Sequence, residues 1–160
     1  ADFLAAAQPL VAEEAEAELI EEAVPVDVVG NVSTKTLWVL LVQENAMIRP
    51  VLAAQFRKEG WAIAFAKAGE QALKALATDA ADLIVIDASL PGELGSEGLI
   101  EVIRLDPRLK RTPLVVIATG ATVLNEAKAK KMGADQFVVA PQARPTFASD
   151  CRALVERKRK

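Results

Sequence analysis

The sequence predicts an α/β fold, a doubly wound, five-stranded parallel sheet flanked by five helices. Short apolar runs alternate along the chain with helical patterns, and strands that alternate with helices form parallel sheets covered on both faces. The runs are unbroken, as in strands that are buried on both sides. Apolar residues make up 52% of the 160-residue chain, which is enough for a sizeable core.

Residues 1–36 precede this pattern and carry a different charge. They hold eight of the 22 acidic residues but one of the 19 bases, which leaves 14 acids and 18 bases in residues 37–160. Residues 3–24 are rich in Ala, Glu and Leu and predict an acidic helix that ends before Pro25. We therefore divide the chain into an acidic helical segment with a linker (1–36) and a globular domain (37–160). The segment is either a solvated connector or a helix that docks on the oppositely charged domain.

The first half of the domain predicts three strands and two helices. Residues 37–42 form a buried strand, residues 61–66 a second and residues 83–86 a third, which ends at Asp87. Asn45 is placed to cap the first helix, and Pro50 requires that helix to begin late, because proline is comfortable only in a first turn. Residues 69–78 form the second helix. The first helix is predicted to turn four apolar residues inward: Ile48, Val51, Leu52 and Phe56.

The second half predicts two strands and three helices. After a loop over residues 88–95, Leu99, Val102 and Ile103 mark the third helix. Residues 114–118 form the fourth strand, 124–132 the fourth helix and 137–139 the last strand, and the final helix packs through Phe147, Cys151, Leu154 and Val155. In such sheets the functional site lies beyond the carboxyl ends of the strands. That rule selects six residues: Gln43, Glu44, Asp87, Ala118, Thr119 and Ala140.

Three stretches then carry a family resemblance. Residues 87–92, which read Asp-Ala-Ser-Leu-Pro-Gly and are followed by Gly95, resemble the CheY-like response-regulator receiver family, as do residues 105–107 and 133–135. The resemblance extends over residues 37–157 and implies a flavodoxin-like fold and a role in two-component signal transduction. It implies that Asp87 is the phosphoacceptor. It also implies a Mg²⁺ held by two acids after the first strand, a hydroxyl residue that ends the fourth strand and a lysine after the fifth.

The chain departs from that pattern at most site positions. The acid pair reads Gln43-Glu44, the hydroxyl position holds Ala118 with Thr119 one place later, and the lysine position holds Ala140. A metal site of Glu44 and Asp87 is therefore weakened, and we expect no cofactor, with Mg²⁺ doubtful. The joint loss of the lysine, the hydroxyl and one acid indicates a degenerate receiver, or pseudo-receiver.

The expected function is protein–protein interaction in bacterial signal transduction, independent of phosphorylation and without enzymatic activity. The resemblance implies a face formed by the fourth helix, fifth strand and fifth helix, with contributions from Val123, Lys128, Gln136 and Phe137. A signalling protein or a second copy of the chain is the expected partner. Two alternatives stay open: a phosphorelay receiver phosphorylated on Asp87 with Mg²⁺ and Thr119, or a receiver module of a larger hybrid kinase or regulator.

Composition excludes several other classes. The chain has no histidine and one cysteine, so it lacks an imidazole phosphocarrier, a cysteine metal site and an internal disulfide. No apolar run approaches the roughly 20 residues of a membrane span. The basic residues 157–160 lack the aromatic interleaving of a nucleic-acid site. We expect a cytoplasmic protein that binds neither membrane nor nucleic acid.

Overall fold

The computed structural model describes residues 36–120, 122 and 124–159. The acidic helix expected over residues 3–24 lies outside the described residues, and the division of the chain at residue 36 stays a prediction. The description below therefore concerns the globular domain.

Five parallel strands form one sheet, as the sequence predicts. They are β1 (Trp38–Val42), β2 (Ala62–Ala66), β3 (Leu83–Asp87), β4 (Leu114–Ala118) and β5 (Gln136–Val139), in the spatial order β2-β1-β3-β4-β5. The chain leaves β1 toward one edge of the sheet to form β2, then crosses back to form β3 on the other side of β1. The topological switch point therefore lies between β1 and β3, and a crevice opens at their carboxyl ends.

Helices cover both faces of the sheet. Helices α2 (Gly69–Thr78), α3 (Gly95–Leu105) and α4 (Glu126–Met132) pack on one face, and α1 (Ile48–Lys58) and α5 (Phe147–Lys158) pack on the other. A short 3₁₀ turn (Pro141–Ala143) follows β5. Two separate apolar clusters result, one on each face, as expected for strands that are apolar on both sides. None of the helices in the described part of the chain is long and apolar enough to cross a membrane.

One inward-facing prediction was wrong. Val51 is 44% exposed, although it was predicted to share the apolar face of its helix with Leu52 and Phe56, and Val102 in the third helix is 39% exposed. In α1 the buried positions are Leu52, Ala53 and Phe56, so the apolar stripe is centred one residue further along the helix. In α3 the stripe runs through residues 99, 100 and 103 in the same way. Successive residues of a helix are rotated by about 100° around its axis, so a residue next to a buried one in sequence can face solvent.

Helix starts follow the capping side chains. Oδ1 of Asn45 accepts hydrogen bonds from the N–H groups of Met47 (2.7 Å) and Ile48 (3.1 Å), and α1 begins at Ile48, which leaves Pro50 in its first turn as predicted. Helix α4 begins at Glu126 rather than at residue 124. Its cap is Asn125, whose Oδ1 accepts from the N–H of Lys128 at 2.9 Å.

Two carboxylates fasten the other end of the sheet, where the strands begin. Asp82 accepts from the N–H of the first residue of β1 at 2.8 Å, and Asp135 accepts from that of β4 at 2.9 Å. The last turn of α5 reaches both carboxylates: Lys158 Nζ lies 3.1 Å from Asp135, and the Arg159 guanidinium contacts Asp82. Basic residues at the end of the chain therefore tie α5 to the sheet.

Candidate functional site

The crevice between β1 and β3 brings Gln43, Glu44 and Asp87 together. Gln43 and Glu44 follow directly after β1, and Asp87 is the last residue of β3. Gln43 is fully buried and Asp87 is 6% exposed, whereas Glu44 is exposed. Glu44, the remaining acid of the predicted pair, therefore faces solvent, and the Gln43 amide, which takes the place of the other acid, is buried.

The Asp87 loop is held by a serine that sequence reasoning missed. Ser96, the second residue of α3, is buried; its Oγ donates to the carbonyl of Asp87 at 2.6 Å and accepts from the N–H of Leu90 at 2.9 Å. The Asp87 carboxylate itself accepts from the N–H of Ser89 at 3.2 Å. The position of Ser96, just after Gly95 at the start of a helix, is the signal that could have identified it. These bonds fix where the carboxylate points.

The pKa of Asp87 is raised above its ordinary value of 3.8, chiefly because burial removes water from the charged form. The N–H of Ser89, the Gln43 amide and the N–H of Ala88 oppose this effect, and the negative charge of Glu44 adds to it. No basic side chain in the described part of the chain pairs with Asp87. The site therefore holds a carboxylate without a counter-charge.

The orientation of the Gln43 amide decides what the crevice can bind. Its Oε1 accepts from the N–H of Asn45 at 2.9 Å, which directs the Nε2 end toward the Asp87 side. The Gln43 amide lowers the pKa of Asp87 and so favours its ionised form, although Nε2 makes no hydrogen bond of normal geometry among the described residues. The buried Gln43 amide therefore occupies a position at which the resembled family has one of its two adjacent acids.

The side chains of Gln43, Glu44 and Asp87 do not fit the Mg²⁺ that the family resemblance implies. A hard cation of this size needs several oxygen ligands in near-octahedral order. The one oxygen of the Gln43 amide is already bonded to the Asn45 N–H, and the Nε2 group presents positive hydrogens. Among the described residues no group of three or more His, Cys, Asp or Glu side chains could hold a metal ion.

The remaining site positions also lack the expected functional groups. Ala118 ends β4 and is 5% exposed, and Ala140 follows β5, with its N–H donating to the Ala118 carbonyl at 2.8 Å. Thr119 is half-buried, and its hydroxyl makes no hydrogen bond within the described residues. Asp87 is in register with Ile117, so Ala118, the next residue of β4, lies at the same end of the sheet as Asp87.

Ala140 adopts a left-handed backbone conformation, with φ 51° and ψ 56°. This region is unfavourable for residues with a Cβ atom. We expect Ala140→Gly to raise the free energy of unfolding by about 0.5–1 kcal/mol, measured by urea denaturation. Ala143→Gly, a matched change without positive φ, should leave stability unchanged or lower it. Equal effects of the two substitutions would contradict the strain at Ala140.

The raised pKa of Asp87 predicts a specific pH dependence. The folded protein binds the Asp87 proton more tightly than the unfolded chain, so stability falls as pH rises from about 4 through the folded-state pKa. Asp87→Asn removes this pH-dependent loss of stability, because an amide does not ionise. Its oxygen can still accept the hydrogen bond from the Ser89 N–H. Urea unfolding should show the variant to be more stable than wild type at pH 7, with the difference shrinking toward pH 4. A variant less stable at pH 7 would refute this sign.

The predicted interaction-face residues that the structure describes lie on α4 and β5. Lys128 is exposed on α4 and forms an ion pair with Glu97 of α3 at 3.1 Å, and Gln136 and Phe137 are half-buried on β5. Val123 lies outside the described residues. Val139, which sequence reasoning did not select, is 68% exposed at the end of β5. The strand β5 therefore ends in an apolar residue that is open to solvent.

Comparison with known proteins agrees with this architecture and identifies the class. Residues 39–150 match the family model described as the response regulator receiver domain. The chain therefore belongs to the response regulator receiver family, a class that acts in two-component signalling.

Among curated relatives, transcriptional regulatory protein AfsQ1 of Streptomyces coelicolor is 30% identical over 118 residues, which cover 74% of this chain and 51% of that protein. Transcriptional regulatory protein ResD of Bacillus subtilis is 29% identical over 119 residues, 74% of this chain and 48% of that protein. The chain spans about half the length of these relatives.

Solved structures agree in fold. A putative response regulator from Chloroflexus aurantiacus has a TM-score of 0.71 at 20% identity and covers 77% of this chain and all of its own length. Chemotaxis protein CheY4 of Vibrio cholerae has a TM-score of 0.67 at 21% identity, covering 76% of this chain and 99% of its own. Similarity at these identities establishes the fold and leaves the chemistry of the site to be argued from the residues above.

Proposed function

We propose that this chain is a pseudo-receiver that acts by binding a signalling protein, independently of phosphorylation at Asp87 and without catalysing a reaction. The observation that carries the proposal is the buried Asp87 carboxylate, which faces an amide and has no cationic partner among the described residues. The other expectations retained here are a cytoplasmic location and no nucleic-acid or membrane partner.

The electrostatics of phosphoryl transfer support this proposal. A carboxylate that attacks an anionic phosphoryl group needs positive charge to offset the repulsion. In the crevice, Glu44 adds negative charge, and Ala118 and Ala140 present methyl groups where the family places a hydroxyl and a lysine. Both losses remove groups that act directly on the phosphoryl oxygens, so neither can be offset by the intact Asp87 loop.

The proposed binding surface is the face of α4, β5 and α5. It combines the exposed Val139 with Phe137, Gln136 and Lys128, an apolar centre with polar neighbours. Such a composition is typical of protein interfaces. The partner is a signalling protein or a second copy of this chain.

The main rival is a working receiver phosphorylated on Asp87, and one observation favours it: the loop of Ser89, Leu90 and Ser96 is intact and directs the carboxylate into the crevice. Incubation with acetyl phosphate and Mg²⁺, followed by intact-mass measurement, separates the two functions. We expect no phosphorylated species. A stoichiometric modification that is absent in Asp87→Asn would overturn the proposal and support the rival.

A second experiment tests the surface in the full chain. Proteins that co-purify with the tagged wild type should also co-purify with Asp87→Asn and Asp87→Ala, and should be lost with Val139→Glu. Val102→Glu is the matched control, because it places the same charge on the exposed side of α3. Loss of the partner in both aspartate variants, or equal loss with both glutamate variants, would contradict the proposed surface.

A further inference from the structure

The end of the domain opposite Asp87 is rich in positive charge. Helices α1, α3, α4 and α5 all end there, and each has one or two basic residues in its last turn. The loop between α3 and β4 adds more. We name the basic pole as the set of exposed cations at this end that have no acidic partner in the described part of the chain: Lys58, Lys110, Arg111, Lys131 and Arg157.

Three of the acids near this pole are already occupied. Asp135 binds Lys158 at 3.1 Å and Arg104 at 3.4 Å, Asp106 binds Arg108 at 3.3 Å, and Asp82 contacts Arg159. These carboxylates therefore neutralise other cations, not those of the basic pole. An excess of positive charge without internal compensation attracts anionic groups.

The acidic segment joins the domain at the same end. The carbonyl of Leu37 accepts from the N–H of Ala62 at 2.9 Å, and the next residue begins β1 beside Asp82, which contacts Arg159. Residue 36 therefore lies at the edge that carries the basic pole. Seven acids lie between positions 13 and 27 of the segment: Glu13, Glu14, Glu16, Glu18, Glu21, Glu22 and Asp27.

The tether is long enough for these acids to reach the pole. Eight residues lie between Asp27 and Thr36, and the nine steps from one Cα to the next span up to about 30 Å when the chain is extended. A domain of this size has a radius of gyration of about 14 Å. Covalent attachment also gives the segment an effective concentration in the millimolar range, about as high as short flexible linkers allow.

We propose that residues 13–27 bind the basic pole of their own domain, so that the acidic segment is an intramolecular partner of the helix C-termini. Each exposed ion pair is weak. Several pairs formed by one tethered segment act together, and the contact depends on ionic strength because the charges are exposed. The proposed partner of the basic pole is the acidic segment of the same chain, because residue 36, where the segment joins the domain, and the basic pole lie at the same end of the sheet.

Paramagnetic broadening in the full chain tests the proposal. A nitroxide is attached to Glu18→Cys; Cys151 is buried, and wild type treated in the same way reports any labelling there. Amide signals of the basic pole should broaden at least about twofold more than those of Ser89 and Gly92 at the opposite end. Raising the salt to about 1 M, where the Debye length is about 3 Å, should abolish the difference.

Charge variants complete the test. In the labelled chain, the combined change Lys110→Gln, Arg111→Gln and Arg157→Gln should reduce the broadening at Lys58 and Lys131 by about twofold or more. Lys67→Gln with Lys74→Gln removes charge away from the pole and should leave it unchanged. Uniform or salt-insensitive broadening would overturn the proposal. So would broadening that appears on an isotope-labelled chain only when spin-labelled copies are mixed with it, since that would place the segment on a second molecule.

Discussion

Replacing Gln43 with Asp, Ala118 with Thr and Ala140 with Lys in one chain should make Asp87 accept a phosphoryl group from acetyl phosphate in the presence of Mg²⁺. The carboxylate introduced at position 43 supplies the missing metal ligand and removes the Nε2 donor that faces Asp87. The threonine hydroxyl and the lysine ammonium supply a hydrogen-bond donor and a fixed cation for the phosphoryl oxygens.

The expected effect is large. Removing one group that stabilises charge in a transition state costs about 10²–10³ in rate, so restoring several should raise phosphorylation at least about 10²-fold over the wild-type chain. Intact-mass measurement after timed incubation follows the modification. The same triple variant with Asp87→Asn is the control and should stay unmodified.

A folded triple variant that remains unmodified would show that the three losses do not explain the behaviour of the site. Lysine at position 140 inherits the left-handed backbone of Ala140, which costs it no more than it costs alanine. The fold of each variant is checked by its urea unfolding curve, so that a failure to fold is distinguished from a failure of chemistry.

Replacing Phe56 with alanine should lower the free energy of unfolding by about 3–5 kcal/mol, the cost of deleting a buried aromatic side chain. Phe56 is fully buried and meets Trp61 and Phe147 edge-to-face, with ring centroids 5.3 and 5.8 Å apart. These three rings join α1 to the start of β2 and to the first turn of α5. Loss of the Phe56 ring leaves a cavity between these three elements.

Urea denaturation monitored by tryptophan fluorescence measures this effect, since Trp61 is part of the cluster. Val51→Ala in the same helix is the matched control. Because Val51 is 44% exposed, its truncation should change stability by less than about 0.5 kcal/mol. Comparable losses in the two variants would show that the aromatic cluster does not hold α1 to the rest of the domain.

The sheet could be predicted because its strands are apolar on both sides. Short unbroken runs such as residues 83–86, bounded by polar residues and rich in β-branched side chains, are typical of strands covered on both faces. The inner edges of α1 and α3 could not be placed as well. Valine is apolar wherever it lies, so the sequence does not distinguish Val51 at the rim of the stripe from Leu52 at its centre.

The site was predictable to the extent that it depends on position. The switch-point rule selected Gln43 and Asp87, and the structure brings them together. The sequence could not supply the orientation of the Gln43 amide, which is set by one backbone N–H of Asn45. Nor could it indicate the left-handed backbone at Ala140, because alanine rarely adopts that conformation and no residue type marks the position.

The anchoring of α5 limits how that helix can move. Its last turn is held by the carboxylates of Asp82 and Asp135, which stand at the beginnings of two different strands. Its first turn is held by packing, because Phe147 and Ala148 are buried and the Phe147 ring meets Phe56. The two ends of α5 therefore depend on different forces. High salt should weaken the attachment of the last turn, which rests on partly exposed ion pairs, and should leave the apolar contacts of the first turn in place.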